Sequence, residues 1–185
     1  MSVINGRTMN SFDYGRKIEE RSIKMLMPTL DGRFEYLEPI EELEQQRTLG
    51  DFKVWDEGKI KYLELKSELA NKYKNFYIET WSNQSKGIKG WFYKLESDYL
   101  GYHFLEENVL YLMKFDELRM FLNFQWKGQK VIEHYPEKPQ SKYEQHNDAY
   151  GRCIPIKLIC YYLNVEIFDI KNGTKRTSKE SYRED

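Results

Sequence analysis

The chain has little that would tie it to a membrane, a nucleotide cofactor or a disulfide framework. Only two of its 185 residues are cysteine. Cys153 and Cys160 form no CxxC pair, which excludes a thiolate metal site and a stapled fold; they read as small buried hydrophobes. The three histidines, His103, His134 and His146, are scattered. They show neither metal-ligand spacing nor a partnered Cys or Ser nucleophile. No P-loop and no GxGxxG occurs, so no nucleotide cofactor is implied. No stretch nears the roughly 20 apolar residues needed to span a bilayer. Met1 to Ser11 lacks the apolar core of a signal peptide. A soluble, cytoplasmic protein with no membrane partner is expected. There is no internal repeat, and no excess of one charge: 29 basic residues face 30 acidic ones, net -1. A non-specific nucleic-acid coat is usually strongly basic. Carboxylates that hold a metal would offset such a bias, so the balance leaves nucleic acid open.

What is present suits a folded domain. Apolar residues make up 40% and aromatics 16%, enough for a real core, and charged residues 32%. One domain over residues 1–170 is expected, followed by a charged, disordered tail over 171–185. A helix is predicted from Phe12 to Met27, with Ser11 or Asp13 as its cap. An Asp31-Gly32 turn and a short extended run, Arg33 to Leu37, follow. Pro39 to Gln46 is acidic and helix-prone. Strands are predicted at Asp51 to Trp55, Ile60 to Ser67 and Phe76 to Trp81. Tyr99 to Leu105 and Val109 to Met113 read as a hairpin. Asp116 to Phe124 reads as an amphipathic helix that Asp116 could cap. Ile154 to Leu163 reads as a strand end and a short helix.

Register in the first hairpin carries the chemistry. A two-residue turn at Glu57-Gly58 pairs Asp56 with Lys59. Every later pair then follows, so Trp55 meets Ile60 and Asp51 meets Glu64. Directly opposed residues share a face, with Cβ atoms about 4.5–5.5 Å apart. Lys66, two residues on, shares it too. Phe52, Val54, Leu63 and Leu65 project to the other face, toward a core. Two close carboxylates repel unless a positive charge sits between them. A hard divalent cation with oxygen ligands meets that need, and Mg²⁺ is the expected one, with Mn²⁺ as a substitute. Such a cation polarises a phosphoryl oxygen and acidifies bound water, which suits phosphodiester hydrolysis. Alternating charge is also what a solvent-facing strand shows, and a second Glu-x-Lys triplet, Glu57-Gly58-Lys59, falls in the turn itself.

Asp51, a hairpin, then Glu64-Leu65-Lys66 resembles the PD-(D/E)XK nuclease signature, in which an Asp and a Glu-x-Lys lie on adjacent antiparallel strands. The resemblance covers Phe12 to Trp81. It implies an α/β, restriction-endonuclease-like fold: a central mixed sheet flanked by helices, here with an elaborated C-terminal half. It implies Asp51 and Glu64 as metal ligands, with the Leu65 carbonyl within reach, and Lys66 as the catalytic lysine. Many such proteins add a carboxylate from a preceding helix. Glu19 is the candidate here, because it sits near the centre of the face formed by Phe12, Ile23, Leu26 and Met27, and Gly15 would allow a close approach. Gly50 stands where the family's proline would be. Glu68 to Asn75 is too short for the usual crossover helix, so Asp116 to Phe124 is expected to supply it. The segments Ile78 to Asn83 and Gly90 to Lys94 resemble those of small phage and bacterial members.

The function implied is a Mg²⁺-dependent DNA endonuclease, with homodimerisation expected if both strands are cut symmetrically. Lys86, Lys89 and Lys94, with Lys72 and Lys74, could form a basic rim that contacts phosphates. Trp81, Trp91 and Tyr93 could stack on bases or belong to the core. The alternative is a nuclease-fold module without activity that binds nucleic acid or a protein.

Overall fold

In the computed structural model, which describes residues 2–4, 7–9, 11–140 and 148–181, one large sheet organises the chain. Its strands are β1 (Tyr36–Pro39), β2 (Phe52–Asp56), β3 (Lys59–Glu68), β6 (Tyr99–Phe104), β7 (Val109–Lys114), β10 (Glu166–Asp169) and β11 (Thr174–Thr177). Their order across the sheet is β11-β10-β7-β6-β3-β2-β1. All neighbours are antiparallel except β3 and β6. A second sheet, β8-β9-β4-β5, is built from β4 (Asn75–Asn83), β5 (Ile88–Lys89), β8 (Glu137–Pro139) and β9 (Tyr150–Pro155).

The helices are α1 (Ser11–Arg33), α2 (Leu43–Leu49), α3 (Trp91–Lys94), α4 (Phe115–Asn123), α5 (Ile156–Tyr162) and α6 (Ser178–Ser181). Among the described residues no helix is long and apolar enough to cross a membrane.

Burial separates the two faces of the large sheet. Leu26 and Leu30 of α1 pack on one face against Phe52, Val54, Leu63, Leu65, Leu110 and Leu112. The other face is covered by the second sheet and the short helices: Phe76, Ile78, Phe92, Leu118 and Ile159 meet Leu100, Tyr102 and Phe104. Strand β3 lies in the middle. Leu63, Glu64 and Leu65 are buried in succession, as expected of a strand covered on both faces. The expected mixed central sheet with flanking helices is therefore present, and Phe52, Val54, Leu63 and Leu65 share the core face as their spacing requires.

Several boundaries differ from expectation. Helix α1 runs through Pro28 and the Asp31-Gly32 pair to Arg33, and the strand after it starts at Tyr36. An interior proline costs roughly 3 kcal/mol. Leu26 and Leu30, both fully buried, contribute about 1.5–3 kcal/mol each, and Arg33 adds two ion pairs. Strand β4 joins the second sheet rather than continuing from β3. The crossover between parallel β3 and β6 runs through that layer and α3, and the expected crossover helix over Asp116 to Phe124 follows β7 instead. Asp116 lies inside the first turn of α4, after the cap Lys114.

Much of the expected tail is ordered. Strand β11 pairs with β10, Lys175 pairs with Glu166 at 2.5 Å, and the buried Ser178 hydroxyl bridges Val165 N–H and the Leu163 carbonyl. The Thr-Lys-Arg-Thr sequence had looked solvated because it forms an exposed edge strand, where charge blocks further pairing. Of the cysteines, Cys160 is buried and Cys153 half-buried. His146 lies outside the described residues.

Candidate active site

The turn between β2 and β3 sets the site. Glu57 and Gly58 have φ of 54° and 70°, the left-handed pair of a type I′ turn whose twist matches that of the strands. The ladder runs Asp56↔Lys59, Trp55↔Ile60 and Phe52↔Leu63. The ladder ends there: Asp51 N–H donates to the Leu63 carbonyl at 2.9 Å while its own carbonyl accepts Ile40 N–H. The chain thus departs from the expected Asp51↔Glu64 pairing, although the two carboxylates still lie close enough to interact.

Beyond that point β2 ends while β3 continues to Glu68, paired only with β6. The Asp51 carboxylate takes the place of the missing strand and accepts Leu65 N–H through Oδ2 at 2.8 Å. A residue's N–H and C=O point the same way in a strand, so the Leu65 carbonyl also faces this open edge.

Gly50 makes the corner possible. Its φ is +111°, and a Cβ there would lie 2.8 Å from both the Leu63 carbonyl and Ser97 Oγ. Proline, locked near −65°, cannot adopt this conformation. That accounts for glycine where the resembled family carries proline.

The cluster has far more negative than positive groups. The Lys66 ammonium contacts Glu64 Oε1, with Glu64 only 6% exposed. Burial pushes the Glu64 carboxyl up to about 7, with Lys66 pulling against it and Asp51 and Glu19 adding to the rise. Burial likewise raises Asp51, partly offset by Lys66 and by the Leu65 N–H. Desolvation works to lower Lys66, but Glu64 and Asp51 outweigh it and hold the amine above its ordinary value.

Glu19 belongs to the cluster in a different manner from that expected. It is exposed rather than enclosed, and Gly15 has nothing within 4 Å of an added Cβ, so no close approach occurs there. The buried stripe of α1 instead runs through Ser22, Leu26 and Leu30, with Glu19 one turn before Ser22. Even so, Glu19 feels Lys66 and Asp51, and its pKa is raised, mainly by desolvation.

Polar contacts anchor this end of α1. Ser67 Oγ donates to Ser22 Oγ at 2.7 Å, and Ser22 Oγ lies 2.7 Å from Nδ1 of the fully buried His103. His103 Nε2 has no partner among the described residues. Burial, aided by Arg21, lowers this imidazole to about 4, so it is neutral at physiological pH.

One carboxylate escaped sequence reasoning. Glu79 of β4 faces Lys66 from the second sheet, and its pKa is raised by desolvation against pulls from Trp91 N–H, Lys66 and Lys94. Its Oε1 accepts Trp91 N–H at 3.2 Å, and the Trp91 ring lies 5.6 Å from Lys66 Nζ. A Cβ on Gly90 would come within 2.4 Å of the Glu79 carbonyl; glycine there lets α3 abut β4. The only signal available was a lone charge in the predicted strand between Tyr77 and Trp81.

The expected basic rim divides. Lys86, Lys89 and Lys94 are exposed on the β5–α3 side. Lys89 Nζ sits 3.6 Å over the Trp81 ring and 5.5 Å from Tyr93. Lys72 and Lys74 lie before the opposite end of nine-residue β4, and since Lys89 pairs opposite Trp81, Lys74 is about 23 Å from it at the strand's rise. Trp91 is core, while Tyr93 stays 43% exposed.

Among the described residues no three His, Cys, Asp or Glu groups converge as a metal-ligand set. The donors are nonetheless those a hard cation takes: two neighbouring carboxylates, a carbonyl directed at the open edge, and a third carboxylate nearby. By donor chemistry they fit Mg²⁺. Comparison with protein families, with curated proteins and with solved structures finds no match to the chain.

Proposed function

We propose that this protein is a metal-dependent nuclease of the PD-(D/E)XK, restriction-endonuclease-like type, hydrolysing phosphodiester bonds of DNA. The observation that carries the reading is the cluster at the open end of the β2–β3 hairpin. Glu19, Asp51, Glu64 and Glu79 surround one ammonium, Lys66. Even with Lys94 beside Glu79, carboxylates outnumber cations here, which a structural ion pair does not need and a cation site does.

Asp51 and Glu64 would hold Mg²⁺, or Mn²⁺ in its place, with the Leu65 carbonyl and Glu19 completing the set. The ion would polarise a phosphoryl oxygen and acidify water. Lys66, desolvated yet held positive, positions the attacking water and offsets charge developing on the phosphate. Glu79 and the Trp91 ring hold Lys66 from the opposite layer. The Trp81–Lys89–Tyr93 ledge, with Lys86 and Lys94, offers cations and ring faces to the substrate backbone and bases.

Lys66→Ala tests the reading. Single-turnover cleavage should fall by about 10²-fold or more, the scale of a positioned proton-transfer group, while DNA affinity in Ca²⁺ stays unchanged. Lost affinity with an intact rate would make Lys66 a phosphate anchor. DNA binding by the wild type without cleavage in Mg²⁺ would favour an inactive module.

A further inference from the structure

Away from the hairpin, α4, α5 and the hairpin that follows α4 enclose an aromatic cavity of about 330 Å³. That volume lies in the range of small-molecule sites. Phe121 and Tyr162 form one wall, stacked at 4.9 Å and 26°. Trp126 and His134 form another, at 4.8 Å and 60°. Phe124, Val131, Tyr135 and Leu158 complete the lining.

The second wall is held in place. Gln125–Trp126 pairs with Gln129–Lys130 through a turn whose Lys127 and Gly128 both have positive φ, 50° and 85°. His134 has both ring nitrogens engaged, Nε2 with the Trp126 carbonyl at 3.0 Å and Nδ1 with Gln129 Nε2 at 2.8 Å. It therefore offers the cavity a ring face rather than a donor or acceptor.

Exposed apolar surface gathers here. Met120, Phe124, Trp126, Tyr161 and Tyr162 are five of the eleven large apolar side chains exposed among the described residues. Such concentration marks a binding surface, whereas scattered single residues would not.

The rim adds charge. Lys127 Nζ lies 4.4 Å from the Trp126 ring. The nearby Glu133 carboxylate already accepts the Lys130 N–H at 2.8 Å. Flat apolar walls with a cationic lip match a planar ring joined to an anionic backbone. A second copy docking face to face would oppose the two Lys127 side chains to one another.

We infer that this cavity captures one unpaired base of a DNA strand, the ring entering between the aromatic walls and a neighbouring phosphate meeting Lys127. The inference rests on the nucleic-acid reading above and names single-stranded or locally unpaired DNA as its substrate class. The cavity lies on the face of the large sheet that carries Lys66. It connects to the site region through α4, whose Phe115 ring is 5.8 Å from that of Trp91.

The test uses labelled oligothymidylate of about ten nucleotides and an abasic strand of the same length, both in Ca²⁺. Trp126→Ala should weaken oligothymidylate binding about tenfold, the scale of one base–aromatic stack, and Lys127→Ala should weaken both strands. The abasic strand should bind the wild type no better than oligothymidylate binds Trp126→Ala. Equal binding of the two strands, with plasmid cleavage intact, overturns base capture and leaves the nuclease reading standing. Base-dependent binding without Mg²⁺-dependent cleavage does the reverse. Self-association that Trp126→Ala abolishes would make the cavity a protein interface and also overturn the inference.

Discussion

The two ends of the β2–β3 hairpin carry opposite electrostatic designs. At the turn end, Asp56 meets Arg33 at 2.8 Å and Lys61 at 2.7 Å, and Arg33 also grips Glu166 at 2.8 Å. Burial alone would raise Asp56, but hydrogen bonds from Lys61, Tyr99 and Arg33 overcome it and hold the carboxyl below its usual range. At the open end, burial wins. Asp51, Glu64, Glu19 and Glu79 are all raised; Lys66 is the cation they share, and Lys94 adds a pull on Glu79 alone. The same strands thus hold a satisfied cluster that fastens α1 and β10 to the sheet and one in which carboxylates outnumber cations. Buried carboxylates by themselves do not mark a site. A surplus of them does.

The contrast is broken most severely at the turn end. Asp56→Asn removes the carboxylate that Arg33 and Lys61 share, leaving Arg33 with Glu166 and Lys61 with the exposed Glu57 at 3.4 Å. This should cost about 3 kcal/mol or more in urea unfolding and leave Mn²⁺ affinity unchanged. A loss under about 1 kcal/mol would show that the pairs are merely superficial.

The open end should respond with the opposite sign. The Glu64 pKa rises from the model-peptide 4.5 to about 7 on folding. Its stabilising protonated state is therefore fully present below pH 4.5 and lost as pH climbs through 7. Without divalent cation, that loss amounts to about 3 kcal/mol by pH 8 at roughly 1.4 kcal/mol per pH unit. Glu64→Gln cannot ionise and should melt about 5 °C or more above the wild type at pH 8, but at the same temperature at pH 4.5. Mn²⁺ should close the gap by stabilising the wild type alone. A wild type as stable as the variant in chelator at pH 8 would remove the frustration from the site.

The smallest effect sharpens the boundary of the cluster. Glu19→Gln should change stability by no more than about 0.5 kcal/mol, being exposed, yet lower Mn²⁺ affinity about tenfold in calorimetry. Glu20→Gln, whose side chain pairs loosely with Arg16 at 3.8 Å, is the control and should do neither. The reverse result would put the helical phase one residue out.

How much of this was legible depended on whether the governing contact was local. The pairing from Asp56↔Lys59 to Phe52↔Leu63 was readable because a two-residue turn counts the register without knowledge of the rest of the fold. The irregularity at Asp51 was not, because it follows from the corner at Gly50. The core face of Phe52, Val54, Leu63 and Leu65 followed from period two alone. Glu79 was not readable, since its partner Lys66 belongs to another sheet and only the packing of β4 brings them together. The course of α1 through Pro28 depends on Leu30 finding a core and Arg33 finding Asp56 and Glu166, which no local propensity reports. The edge strand at Thr174–Thr177 looks like a solvated tail because an outward-facing edge has the same composition. Glu19 was placed on a face correctly in outline, but burial depends on where the sheet ends beneath the helix.

Supercoiled plasmid incubated with the wild type, with Asp51→Ala and with Lys66→Ala, each with Mg²⁺ and with chelator, tests the central claim most directly. Nicking or linearisation by the wild type in Mg²⁺ alone, lost in both variants while their folds persist, is the expected result. Intact plasmid in every lane, or cutting that survives either substitution, would contradict the assignment of the open-end cluster as a nuclease centre.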